Sequence, residues 1–325
     1  MKKLIGTIFL LLIFVSMVSG WGFWAHQQIN RLAVFTLPTG MIGFYKSNIN
    51  YITVHAVDPD KRRYADPEEA PRHYLDADHY GKNPFDSIPK KWKDAVAKYG
   101  EDTLKAYGIV PWHIERMMYR LTDAFKIKDS AAILRVSAEL GHYIGDAHVP
   151  LHTTENYNGQ MTNQVGIHGF WESRLPEMFA FDTYDFYVGK PYYIEKPLDE
   201  AWKIVKESHY ALDSVLLFEK QLTQEFGTDK KYSFIERNGK MQRDYSDDFS
   251  TSYHTKLDGM VERRMRAAIR STASFWYTAW VNAGQPELKD LLNKQQSIEE
   301  RQRIASEEKL FKEGKIIGRP EPTGQ

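Results

Sequence analysis

Histidine and carboxylate pairs at helical spacing are the residues of this sequence best suited to do chemistry. In Leu140-Gly141-His142-Tyr143-Ile144-Gly145-Asp146-Ala147-His148-Val149-Pro150-Leu151-His152, His142 and Asp146 stand four positions apart. On a helix such residues project from one face, one turn above the other. Pro150 ends the turn and lets His152 swing back toward that face. His168-Gly169-Phe170-Trp171-Glu172 repeats the pairing. A single pair of this kind is commonly a hydrogen-bonded core histidine or an exposed ion pair. Two pairs and His152 so close along the chain point instead to metal ligation. Upstream, Asp58 opens Asp58-Pro59-Asp60-Lys61-Arg62-Arg63, His73 sits in Pro71-Arg72-His73-Tyr74, and His26 lies near the amino end. The chain has 11 His and no Cys, which excludes a disulfide framework, a thiolate zinc site and a cysteine nucleophile. Nitrogen and carboxylate ligands without sulfur suit zinc in an open, catalytic arrangement. Several such ligand groups meeting would hold more than one ion, the arrangement used to split phosphate esters.

The other polar candidates are weaker. His148 follows His142 by six and either points elsewhere on a helix or backs a ligand residue, whereas His55 becomes a substitute ligand if the register around Asp58 shifts by a turn. Asp76 and Asp78 read either as carboxylates that fix a ligand histidine or as loop residues. His79, His113, His209 and His254 carry no partner pattern. The aromatic patch Phe275, Trp276, Tyr277 and Trp280 reads as core rather than as a base-stacking shelf.

Helices must position these residues. Apolar spacing predicts helices over 102–126 with a break near Gly108-Ile109-Val110-Pro111, over 131–149 behind an Asp129-Ser130 cap, over 197–226, and over 247–282. Only Tyr192-Tyr193-Ile194 and Tyr232-Ser233-Phe234-Ile235 suggest short extended pieces. The expected fold is all-α, a multi-helix single domain over 21–285, followed by a charged helical tail over 286–325 that leaves the core as a solvated helix. Met1-Lys2-Lys3, the apolar run Leu4 to Val18 and the small residues Ser19-Gly20 describe a secretory signal peptide over 1–20. Cleavage near Gly20 would put the chain in the periplasm or outside the cell and free the α-amine of Trp21 as a ligand. Lys and Arg total 43 and Asp and Glu 43, so no long-range field draws the chain to a polyanion or an anionic membrane. With 42% hydrophobic residues over 325 positions, there is ample material for a core.

Taken together, Trp21, His26, Asp58, His73, His142, Asp146, His152, His168 and Glu172 resemble the ligand set of the trinuclear zinc phosphodiesterases. That superfamily contains bacterial zinc-dependent phospholipase C and the single-strand-specific zinc nucleases of fungi and plants. The resemblance spans residues 21–172, and its most specific piece is His142-x-x-x-Asp146-x-x-x-Pro150-Leu151-His152. It implies the phospholipase C and zinc nuclease type of helical fold and three zinc ions. Asp58, His73, His142 and Asp146 would hold the first, His152, His168 and Glu172 the second, and the Trp21 amine and carbonyl with His26 the third, with Asp146 bridging. It further implies hydrolysis of a phosphate diester by metal-bound hydroxide. Asp58 would orient or deprotonate the water, and Lys61 or Arg62 would steady the phosphate. The substrate would be a phospholipid head group or single-stranded nucleic acid, and no stable protein partner is implied.

Glu at 172 and the short gap from His152 to His168 resemble the phospholipases, while the offset from Trp21 to His26 resembles the nucleases. The chain departs from the choline-specific enzymes at Pro59 and Ala70, where they carry aromatics, so a cage for a quaternary ammonium is not expected. It departs from the nucleases at Lys61, where they carry an arginine. The leading expectation is an exported phosphodiesterase of phospholipase C type. Its rivals are a nuclease of the same superfamily and a non-catalytic, zinc-stabilised binding protein.

Overall fold

Apolar residues three and four apart dictate where this chain turns into helix, and a computed structural model describes the result for residues 22–237, 240–291, 298–314 and 317. The expected signal peptide and Trp21 lie outside the described residues. Helix α1 (Phe23–Val34) buries Ala25, His26, Ile29, Asn30, Ala33 and Val34 along one stripe. A short helix α2 (Asp58–Arg62) carries Pro59 in its first turn, and α3 (Val110–Lys126) carries Pro111 in its own. Helix α4 (Ser130–Ala147) starts at Asp129, whose side chain accepts from the Ala132 amide at 3.1 Å. Every residue of α4 from Val136 to Ala147 is buried, so it is the central helix, with α1 and α3 packed on it.

Two glycines of α4 set how near α1 can come. A Cβ at Gly141 would run into the Asn30 side chain, and one at Gly145 would lie 3.0 Å from His26 Nδ1. Asn30 uses the space, donating from Nδ2 to the Ala138 carbonyl at 2.9 Å. The missing side chains therefore bring His26 against the helix that carries His142 and Asp146.

Helix α5 covers Pro197–Phe226, the span predicted from its periodicity. The expected single helix over 247–282 is two, α6 (Asp247–Lys256) and α7 (Met260–Asn282). Asp258 and Gly259 between them take positive φ of 49° and 69°, a conformation no helix continues through. Trp276 stacks on Tyr45 at 5.1 Å and donates from Nε1 to the Ser137 carbonyl at 3.0 Å, inside the core. Phe275 and Trp280 are buried with it.

The molecule is mostly helical, with one antiparallel hairpin among the described residues. Its strands β1 (Tyr232–Arg237) and β2 (Lys240–Tyr245) pair Tyr232 with Tyr245 and Arg237 with Lys240. Tyr192 and Ile194 lie in neither a helix nor a strand. Their amides donate instead to Ser274 Oγ at 3.1 Å and Thr278 Oγ1 at 2.9 Å on α7. The tail departs from expectation. Helix α8 (Ile298–Glu313) turns back onto α2, burying Phe311 against Tyr64 and Phe23, and the Ile317 amide donates to the Arg63 carbonyl at 3.1 Å. Among the described residues no helix is long and apolar enough to cross a membrane.

Candidate metal centre

The centre is built outward from α4, whose pitch places His142 Nε2 3.2 Å from Asp146 Oδ2. His142 gives its Nδ1 proton to the Ala56 carbonyl at 2.8 Å. A carbonyl can only accept, so Nε2, aimed inward, is the nitrogen that either takes up a further proton or offers its lone pair to a metal. There it meets His73 Nδ1 at 3.1 Å and Asp60 Oδ1 at 3.5 Å. His73 Nδ1 also lies 2.9 Å from Asp146 Oδ2. From α1, the His26 ring stacks on His142 with centroids 3.9 Å apart, and its Nε2 comes within 3.3 Å of Asp146 Oδ1.

The second half follows Pro150, which opens the turn Pro150–Thr153 and lets His152 fold back, as its spacing predicts. His152 donates from Nδ1 to the His73 carbonyl at 2.7 Å, and His168 donates from Nδ1 to the Tyr157 carbonyl at 2.9 Å. Their Nε2 atoms face each other at 3.2 Å. With both Nδ1 protons committed to carbonyls, two neutral rings would point lone pair at lone pair. Such an approach needs a cation or an additional proton between them. Glu172 Oε2 supplies the negative charge, 2.9 Å from His168 Nε2 and 3.5 Å from His152 Nε2. Asp146 joins the halves, with Oδ1 3.8 Å from His152 Nε2.

Three buried groups therefore exist whose potential ligand atoms lie within 4.8 Å of one another: His26, His142 and Asp146; Asp60, His73 and His142; and His152, His168 and Glu172. They are compatible with bound metal. His26 Nδ1 and Asp60 Oδ2 are buried without a hydrogen bond among the described residues, and buried polar atoms are seldom left so without a ligand or water. Burial opposes a proton on His142, but Asp146 and Asp60 overcome it and raise its pKa well above the ordinary histidine value. Burial likewise opposes charge on Asp146, yet His142 and His152 hold its carboxyl well below the usual range. For His26, burial and the neighbouring His142 lower the pKa despite Asp146.

Seven of the nine expected ligands come together here. Trp21 lies outside the described residues, and Asp58 is placed differently. Asp58 is buried but accepts from His55 Nδ1 at 2.7 Å, and it belongs to none of the three groups. Asp60 stands where Asp58 was expected. Residues two apart on a helix point about 200° away from each other, so only one of the two carboxylates can face the centre, and His55 one turn upstream claims the other. The two cations expected to steady phosphate are both paired with carboxylates. Lys61 Nζ pairs with Glu308 Oε2 at 2.8 Å. Arg62 pairs with Glu139 at 2.5 Å, Glu69 at 3.3 Å and Glu307 at 3.5 Å.

Glu69 is a site residue that sequence reasoning missed. Its Oε1 lies 3.4 Å from His73 Nε2, it accepts from Arg72 at 2.5 Å, and it takes the Tyr143 hydroxyl. Burial disfavours its charge, but His73, Arg62 and Arg72 hold the carboxyl far below the usual range. The signal was the same four-residue spacing, from Glu69 to His73. Asp78 grips the segment after His152, accepting from Thr154 Oγ1 at 2.6 Å and the Glu155 amide at 3.0 Å. His148 turns away, donating from Nδ1 to the Ile144 carbonyl at 2.7 Å. Comparison with models of known protein families gives no match for this chain, and comparison with curated proteins gives none either.

Proposed function

We propose that the chain is an exported zinc-dependent phosphodiesterase of phospholipase C type, with up to three ions held by Asp60, His73, His142, Asp146, His26, His152, His168, Glu172 and the Trp21 amine. The observation that carries this reading is the 3.2 Å approach of His152 Nε2 and His168 Nε2, both rings having given Nδ1 to backbone carbonyls. A carbonyl bond at Nδ1 fixes the tautomer and aims Nε2, the usual arrangement behind a metal-ligating histidine. The donor set is nitrogen and carboxylate oxygen without sulfur, which fits zinc in a catalytic role. Zinc so bound would supply a water acidified to near neutrality and positive charge to offset the negative charge that builds up on phosphate oxygens.

The chain's own residues do the rest. Asp60 Oδ2 has no hydrogen bond among the described residues, so it is the carboxylate oxygen free to orient a water or take its proton. Glu69 steadies His73 from behind, and Asp78 steadies the segment after His152. Asp146 touches both halves and keeps them in register.

The test is hydrolysis of a diacylglycerol phosphodiester, of single-stranded DNA and of a nitrophenyl phosphodiester, with and without chelator. Chelator-sensitive release from the lipid but not from DNA is the expected outcome. Cleavage of DNA alone would make the protein a nuclease. Bound zinc with no turnover of any of the three would make the centre structural.

A further inference from the structure

Asp60 is followed at once by two cations, Lys61 and Arg62, on a helix of five residues. Both meet glutamates from the far end of the chain. Glu308 Oε2 lies 2.8 Å from Lys61 Nζ, and Glu307 Oε1 lies 3.5 Å from Arg62 Nε. The two cations are not held alike. The guanidinium of Arg62 is also fixed by Glu139 and Glu69, so it keeps its place whatever α8 does. Lys61 has its one described carboxylate partner in α8. Phe311 anchors the contact, its ring 5.2 Å from Tyr64 and 5.6 Å from Phe23, with Lys61 Nζ 5.9 Å above it. Phe23 lies three residues before His26 and Tyr64 four after Asp60. Helix α8 thus bridges the two elements, α1 and α2, that contribute His26 and Asp60 to the centre.

We infer that Lys61, with the Nε edge of Arg62, is an anion-receiving face beside the centre, and that α8 occupies it with Glu308 and Glu307 as carboxylate stand-ins for phosphate. A phosphate group bound at this face and the seated helix exclude one another, so α8 is an internal competitor. The inference rests on the phosphodiesterase reading for its choice of anion. The geometry behind it is independent of that reading: a helix otherwise poor in apolar anchors sets Glu308 on Lys61 and brings Glu307, itself held by Arg303 at 2.6 Å, to the edge of Arg62 next to Asp60. Among the described residues of α8, Phe311 and Glu307 are the ones that are buried.

The experiment uses the full chain loaded with zinc and inorganic phosphate as the probe. Amide hydrogen exchange is followed across 298–313, and the phosphate dissociation constant is measured in parallel. Phosphate should speed exchange across α8 about tenfold in the unaltered protein. The double variant Glu307→Gln/Glu308→Gln should bind phosphate about tenfold more tightly, because the competing charges are gone. Glu313→Gln, at an exposed position on the same helix, should match the unaltered protein. Phe311→Ala, which loosens the anchor without touching the charges, should also tighten phosphate binding. Unchanged exchange at saturating phosphate, or equal affinity in the double variant, overturns the inference. Displacement of α8 by phosphate in a protein that cleaves no phosphodiester would sink the hydrolytic reading and leave this one standing. Turnover with α8 undisturbed does the reverse.

Discussion

At the scale of the residue, one of two nearby carboxylates faces the histidines and the other does not. Asp58 and Asp60 differ by two positions and are both buried, yet only Asp60 approaches His73 and His142, while Asp58 holds His55. Asp60→Asn should therefore weaken metal retention by ten- to a hundredfold, and Asp58→Asn should leave it within a few-fold; competition with a chromogenic chelator measures both. His148 gives a second residue-scale prediction. Burial and the nearby Arg264 hold its pKa well below the ordinary 6.5, so the folded state binds fewer protons there than the unfolded chain once pH falls below about 6.5. Stability from this group is complete above that pH and declines as pH falls through the window beneath it, by up to about 1.4 kcal/mol per pH unit. In His148→Asn the amide can keep the bond to Ile144, and the acid slope of the urea midpoint should flatten by that amount.

At the scale of the element, reading the sequence succeeds where periodicity and punctuation agree. Helix α5 begins at Pro197 and stops before Gly227, and both limits are legible. The break at Asp258-Gly259 is not, because a lone glycine in a periodic run is usually tolerated. Strand β2 is missed because its residues are mostly exposed and only Tyr245 reaches the core, leaving no apolar alternation to detect. The docking of α8 is hidden for another reason: one phenylalanine and two glutamates suffice once α2 offers cations, and nothing in the tail's own sequence reveals those partners. Gly141 shows how tightly elements are fitted. Gly141→Ala gains about 1 kcal/mol of helix propensity but drives a methyl into Asn30 and breaks its buried bond to Ala138, at a cost of about 3 kcal/mol. A net loss of about 2 kcal/mol in urea denaturation is expected, with weaker zinc binding as α1 and His26 back away.

At the scale of the whole molecule, the centre gathers side chains from residues 26 to 172 and encloses them. Spacing exposes the local pairs, His142 with Asp146 and His168 with Glu172. It cannot say which distant groups meet, and so it misplaces one carboxylate and overlooks Glu69. The decisive measurement is metal content of the purified protein by mass spectrometry, with the thermal unfolding midpoint recorded before and after chelation. Two to three equivalents of zinc are expected, lost stepwise in His168→Ala and Asp60→Asn, with a midpoint lowered by several degrees once the metal is stripped. A protein that binds no zinc and unfolds at the same temperature with or without chelator would contradict a metal centre, since facing imidazole nitrogens would then be held together by protons alone.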